Sequence, residues 1–173
     1  DKLVIDNLIF PLENLKLEKK EIDEKIKEIS SLLKIEHLLD LEIENLSGGE
    51  KELVALAIAL IKEPKILLLD EAFIMLDDIE KQKMLKLLKK INREKKLTII
   101  NVTHDMEESI YSKEIAIINN KKIIKGKNKD IYKDEKLFKN NNLALPFMVD
   151  LSNKLRYYGL VDDIILDMNK MVD

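Results

Sequence analysis

Two short apolar runs set the terms for this chain. Residues 65–69 (KILLL) and 97–102 (LTIINV) have the length of strands rather than buried helices. Between them Glu80–Asn92 carries Met84, Leu88 and Ile91 on one helical stripe. Strand, helix, strand predicts a parallel α/β unit whose strands are buried on both faces. Ligands of such sheets gather beyond the carboxyl ends of the strands. Polar residues stand at both ends here: Asp70 and Glu71 after the first run, His104 just past the second.

Periodicity extends the reading along the chain. Ile22, Ile26, Ile29 and Leu33 predict an amphipathic helix over Glu18–Ile35, followed by a break at Leu38–Asn45. Ser47-Gly48-Gly49-Glu50 opens a long helix through Leu53–Ile61, ended by Pro64. Glu107–Tyr111 begins another helix. Ile115–Ile118 and Lys122–Lys125 read as a hairpin joined across Asn119-Asn120. Asn140–Asn142 reads as a linker. Beyond it Phe147, Leu151, Leu155 and Tyr158 form one apolar stripe, started by Pro146 and stopped at Gly159. Val161, Ile164, Ile165, Met168 and Val172 form a second, so two short helices are expected, each needing a partner surface.

Composition removes several classes of function. Thirty basic residues against 33 acidic leave a net charge of −3, with no overall pull toward nucleic acid or anionic lipid. Arg93 and Arg156 are the only arginines, which disfavours bidentate base or phosphate recognition. With no cysteine there is no disulfide, thiolate zinc site or cysteine nucleophile. The longest apolar run, Leu53–Ile61, is far short of the roughly 18–20 residues that span a bilayer. The first residues alternate charge and hydrophobe, unlike a secretory leader. The chain starts at Asp1 rather than methionine and is expected to be a piece of something longer. No two of its glycines (Gly48, Gly49, Gly126, Gly159) have the spacing of a phosphate-cradling P-loop, G-x-x-x-x-G-K-[ST].

Each polar group has a structural reading beside its chemical one. Asp70 and Glu71 suit magnesium and an attacking water, or cap the next helix. His104 is catalytic or structural. Ser47 and Glu50 fit an ordinary capping box, which leaves two consecutive glycines unexplained. Such glycines also leave backbone N–H groups open toward an anion.

The order of these pieces is more specific than any of them. LSGGE (Leu46–Glu50), ILLLDE (Ile66–Glu71), Leu76-Asp77 and Thr103-His104-Asp105 resemble the signature, Walker B motif, D-loop and switch-histidine region of ABC-type ATPases. VIDNLIFPLENL (Val4–Leu15) resembles the stretch shortly after the Q-loop. Leu143–Phe147 with Leu151 and Lys154–Gly159 resembles the C-terminal extension of energy-coupling factor (ECF) transporter ATPases. The resemblance implies an α/β, P-loop NTPase-like fold, present as its C-terminal portion. Residues 1–62 would belong to the helical signature subdomain and 63–139 to the catalytic lobe. Residues 140–173 would form a helical, dimerising extension. P-loop, Q-loop and adenine contact would lie upstream, so the chain alone is expected to be inactive.

Roles follow by the same resemblance. Asp70 would hold magnesium through water, Glu71 would polarise the attacking water, and His104 would contact the γ-phosphate. Ser47 and Gly49, within the signature Ser47-Gly48-Gly49-Glu50, would meet ATP bound by a partner subunit, and Asp77 would cross the dimer interface. ATP and Mg²⁺ are the implied cofactors. The implied partners are a second ATPase subunit, identical or paralogous, and a transmembrane coupling subunit, at the cytoplasmic face of the membrane. Nucleic acid is not expected. Departures from the family pattern are Ala72 and Phe73 after the glutamate, Asp78 after Asp77, and Glu52 where a basic residue is common. Competing readings are an ABC-type DNA repair or chromosome ATPase, disfavoured because Leu15–Ile35 is too short for a coiled coil, and a non-catalytic dimerisation module.

Overall fold

A computed structural model describes residues 2–167, which divide into two compact units between Val102 and Thr103. The first unit opens with α1 (Val4–Ile9), a 3₁₀ segment Phe10–Leu15, and α2 (Lys19–Leu33). The chain entry is pinned by backbone bonds from Val4 to Leu41 and from Ile5 to Leu39, both 3.0 Å. Val4, Leu8, Leu12, Ile35 and Leu38 are sealed beneath it. On α2 the predicted stripe holds: Ile26, Ile29 and Leu33 are buried and Ile22 is half-buried. Its 15 residues pack against α3 (Gly48–Leu60), which buries Val54, Leu56, Ala57 and Leu60.

After Pro64 the chain enters β1 (Ile66–Asp70), crosses through α4 (Asp78–Lys95), and returns in β2 (Thr98–Val102). The strands pair in parallel, Ile66 opposite Thr98 through Asp70 opposite Val102. α4 packs against β2 through a face that includes Met84, Leu85, Leu88 and Ile91, and Asn92 ties the turn by donating to the Leu97 carbonyl at 2.7 Å. The expectation that both strand faces are buried needs correction. Leu67 and Leu69 are buried, but Ile66, Leu68, Ile100 and Val102 are 50–71% exposed on the opposite face. Helices of the described residues cover one side of this sheet only.

The second unit starts after β2. A 3₁₀ turn, Glu108–Tyr111, stands where a helix was predicted. β3 (Glu114–Asn119) and β4 (Lys122–Lys127) form the predicted antiparallel hairpin. Its turn lies one residue later than expected, at Asn120 (φ 47°) and Lys121 (φ 63°), with Asn119 paired to Lys122. Two successive positive φ angles are the mark of a type I′ turn, whose twist matches the strands. Short helices α5 (Asn128–Tyr132) and α6 (Glu135–Asn140) follow. Ile115, Ile117, Ile131, Tyr132, Phe138, Val149 and Ile164 make the core, with the Tyr132 and Phe138 rings stacked at 6.0 Å.

Among the described residues the tail contains one helix, and the second expected stripe is only partly within them. α7 (Phe147–Tyr157) starts after Pro146 as predicted. It ends in a Schellman motif: Gly159 (φ 69°) donates to Arg156 O at 3.0 Å and Leu160 to Leu155 O at 2.9 Å. Its buried face is Met148, Val149, Ser152 and Asn153, whereas Phe147 and Tyr158 of the predicted stripe are exposed and Leu151 and Leu155 half-buried. Burial of a serine and an asparagine is possible because both are satisfied. Ser152 Oγ accepts from Ile165 N–H and donates to Ile165 O, each at 3.0 Å. Asn153 donates to Tyr132 O at 3.0 Å. Residues 161–167 run as an irregular strap held by those bonds and by Lys129 and Lys133 on Asp163, at 2.8 and 3.0 Å. Met168 and Val172 of the second stripe lie outside the described residues. No helix among the described residues is long and apolar enough to cross a membrane.

Candidate functional site

The start of α3 is built by its own residues. Ser47, the N-cap, gives its N–H and its hydroxyl to Glu50 Oε2 at 2.8 and 2.7 Å. Glu50 N–H returns to Ser47 Oγ at 3.3 Å. The capping-box reading is therefore correct as structure, and these bonds, the side-chain one first, hold the Glu50 carboxyl below its ordinary pKa. The two glycines have a separate cause. A Cβ on Gly48 would lie 3.1 Å from Met75 Cγ, and one on Gly49 would lie 3.1 Å from Leu76 Cδ2 and 3.4 Å from Met75 O. The loop following Glu71 lies directly on them. Glu52, one turn further, accepts the Met75 N–H on both carboxylate oxygens, at 3.0 and 3.2 Å. The sequence gives no sign of this contact, which joins residues 23 apart.

At the end of β1, Asp70 shares the exposed face with Ile66 and Leu68. Glu71 follows at φ 49°, a left-handed backbone unusual for a residue with a side chain. Its N–H donates to Val102 O at 2.9 Å, extending the parallel ladder one step beyond Asp70. This pins the bend at which the chain leaves the sheet, with Glu71 half-buried. Phe73 and Leu76 then plunge into the core, leaving Ile74 and Met75 outside. Asp77 caps α4, accepting from Glu80 N–H at 2.8 Å. The helix-capping alternative raised for Asp70 and Glu71 thus applies to Asp77 instead.

His104 is exposed two residues past β2, in the second unit. The segment around it is shaped by short polar links. Thr103 Oγ1 accepts from Asp105 N–H at 3.0 Å, and Asp105 Oδ1 from Glu107 N–H at 2.9 Å. Glu107 in turn accepts the N–H of Phe147, the first residue of α7, at 2.6 Å. Sequence reasoning missed this contact also, since 40 residues separate its ends.

No group of three or more carboxylates and histidines among the described residues could hold a metal by itself. A groove of about 340 Å³ lined by Lys25, Ile29, Leu60, Pro64, Ile91 and Leu97 lies where the strands begin, away from Asp70 and Glu71.

Comparison with known proteins points to ATP-binding proteins of ABC transporters. Residues 3–74 match the ABC transporter family. The chain is 35% identical over 152 residues to the energy-coupling factor transporter ATP-binding protein EcfA1 of Leuconostoc mesenteroides, covering 86% of this chain and 56% of that protein. It superposes on cbiO1 of Clostridium perfringens, described as part of an ABC transporter complex, with TM-score 0.70 and 31% identity, over 87% of this chain and 61% of that one. A dimeric ATP-binding cassette in a post-hydrolysis state with ADP and phosphate gives TM-score 0.67 and 27% identity, over 73% and 56%. The chain spans about six tenths of the length of the curated relatives it matches. The chain thus has the fold of ATP-binding cassettes and is similar in sequence, along most of its length, to ATP-binding proteins of ABC transporters.

Proposed function

We propose that this chain supplies the signature and Walker B part of the ATP-binding subunit of an ECF-type ABC importer, and that the complete subunit hydrolyses ATP. The observation that carries the reading is the junction of Ser47–Gly49 with the loop leaving Asp70-Glu71. It makes the anion-facing end of α3 and the strand-end carboxylates one continuous piece of structure. Ser47 and Gly49, flanked by Gly48 and Glu50, would turn toward ATP held by a second subunit, and Asp77 would cross to that subunit. The functional division into residues 1–62, 63–139 and 140–173 belongs to the same reading.

A single exposed carboxylate at a strand end suits magnesium, which takes one or two protein carboxylates and keeps water and phosphate for the rest. Asp70 would hold it through water, and the ion when bound neutralises phosphate charge. Glu71, fixed by its backbone bond to Val102, polarises and orients the attacking water, while His104 contacts the γ-phosphate. The work of these side chains is positioning and charge stabilisation.

The partners in this reading are a second ATPase subunit and a transmembrane coupling subunit at the cytoplasmic face of the membrane. Phe147 and Tyr158, exposed on α7, offer the second subunit's tail an apolar contact.

The test is Glu71→Gln in the full-length subunit. Nucleotide binding is retained and steady-state turnover falls on the order of 10²–10⁴-fold, the usual contribution of a general base. Turnover within two- or threefold of wild type would remove Glu71 from the mechanism.

A further inference from the structure

Glu52 of α3 and the loop after Glu71 meet in space. The loop after Glu71 carries Phe73, Ile74 and Met75, with Ile74 and Met75 more than 60% exposed. The Glu52 carboxylate reaches 23 residues along the chain to take the Met75 N–H, at 3.0 and 3.2 Å from its two oxygens. Hydrogen bonds to an ionised acceptor are the stronger kind. The same loop lies over both signature glycines: the Met75 side chain covers Gly48, while Leu76 and the Met75 carbonyl approach Gly49.

We infer that Glu52 is a positioning residue. By accepting the Met75 N–H, it holds the loop 72–76 on the start of α3, so that Ser47–Gly49 and Asp77 are presented to a second subunit as one rigid edge. The inference rests on the proposed ATPase reading for its consequence, though not for its geometry. Apolar packing of Met75 and Leu76 on glycines is non-directional. The Glu52 bond fixes the loop's backbone relative to the helix, because its acceptor is a side chain of α3 and its donor a main-chain N–H. A basic residue at position 52 has no acceptor for that N–H.

The experiment uses the full-length subunit with Glu52→Ala, Glu52→Lys and Glu52→Gln. Amide exchange at Met75, read by NMR, should quicken about tenfold or more in the Ala and Lys variants. Gln, which keeps one acceptor oxygen, should restore most of the protection. Turnover should fall at least about fivefold in the first two, with the ATP dissociation constant and melting temperature close to wild type. Recovery in the Gln variant separates loop positioning from a general effect of charge. Unchanged Met75 exchange in both Ala and Lys variants overturns the contact. Faster exchange with unchanged turnover overturns the positioning role, provided that Glu71→Gln still abolishes turnover. Normal turnover in Glu71→Gln instead sinks the functional reading, while the exchange result still judges the contact.

Discussion

Alanine at the two signature glycines should give unequal results, although the sites are adjacent and their nearest contacts are equally short. At both, alanine gains up to about 1 kcal/mol of helix propensity, less at the first turn. At both, the new methyl meets an atom at 3.1 Å, a few tenths of an ångström too close. What lies behind that atom decides the cost. Behind Gly48 is the Met75 side chain, 65% exposed and flexible, so the loop can give way toward solvent. Behind Gly49 are Leu76, only 6% exposed, and the Met75 carbonyl, so relief requires moving core and backbone together. Overpacking of that kind costs about 1–3 kcal/mol. Less the propensity gain, Gly49→Ala should destabilise by about 1–2 kcal/mol and Gly48→Ala by about 0–0.5 kcal/mol. Urea midpoints at unchanged m-value measure both. Leu76→Ala is destabilising by itself, but in its background the penalty of Gly49→Ala should largely vanish, a coupling readable from the double-mutant cycle. A Gly48→Ala cost equal to or above that of Gly49→Ala, or the absence of coupling to Leu76, would show the close-approach argument to be wrong.

Two further expectations concern the second unit. Burial pushes the Tyr132 hydroxyl up to about 12, against an opposing hydrogen bond with Ser109 at 2.7 Å. The unfolded chain loses this proton near its ordinary value of 10 while the folded one keeps it, so stability should decline as pH rises from about 10 to 12. Tyr132→Phe should flatten that alkaline limb in a pH series of melting temperatures, and an unchanged slope would exclude Tyr132 as its source. Ser152→Ala, at a fully buried position, takes the partner from the N–H and C=O of half-buried Ile165, at a cost of about 1–3 kcal/mol. Amide exchange at Ile165 should rise in parallel; wild-type protection there would mean that the strap is held by the Asp163 ion pairs alone.

The readable parts of this fold were those whose cause is local. The α2 stripe, the Ser47–Glu50 box and the parallel strands each follow from residues within a few positions, and the structure has them where the spacing put them. So does the Gly159 stop, where a positive φ ends α7. The order of the motif residues was legible for the same reason. Their surroundings were not. Glu52 on Met75 and Glu107 on Phe147 are contacts over 23 and 40 residues, and no periodicity encodes which carboxylate meets which N–H.

The α7 stripe and the exposed sheet face have one physical origin. Periodicity reports how many apolar residues a segment must cover, and says nothing of which neighbour covers them. In α7 the apolar stripe is Phe147, Leu151, Leu155 and Tyr158, whereas the buried face includes Ser152 and Asn153. Yet Ser152 and Asn153 can be buried at little cost once Ile165 and Tyr132 satisfy them, and the stripe then turns outward. In β1 and β2 the apolar character on both faces was read correctly, but the described helices satisfy only one. Ile66, Leu68, Ile100 and Val102 stay half or more exposed, ending in Asp70 on the same face. Water contact on four such side chains is costly, roughly 1.5–3 kcal/mol for each fully buried equivalent. These strands therefore carry more apolar surface than the described helices cover. Asp70, the carboxylate on which the proposed chemistry depends, lies at the end of that open face.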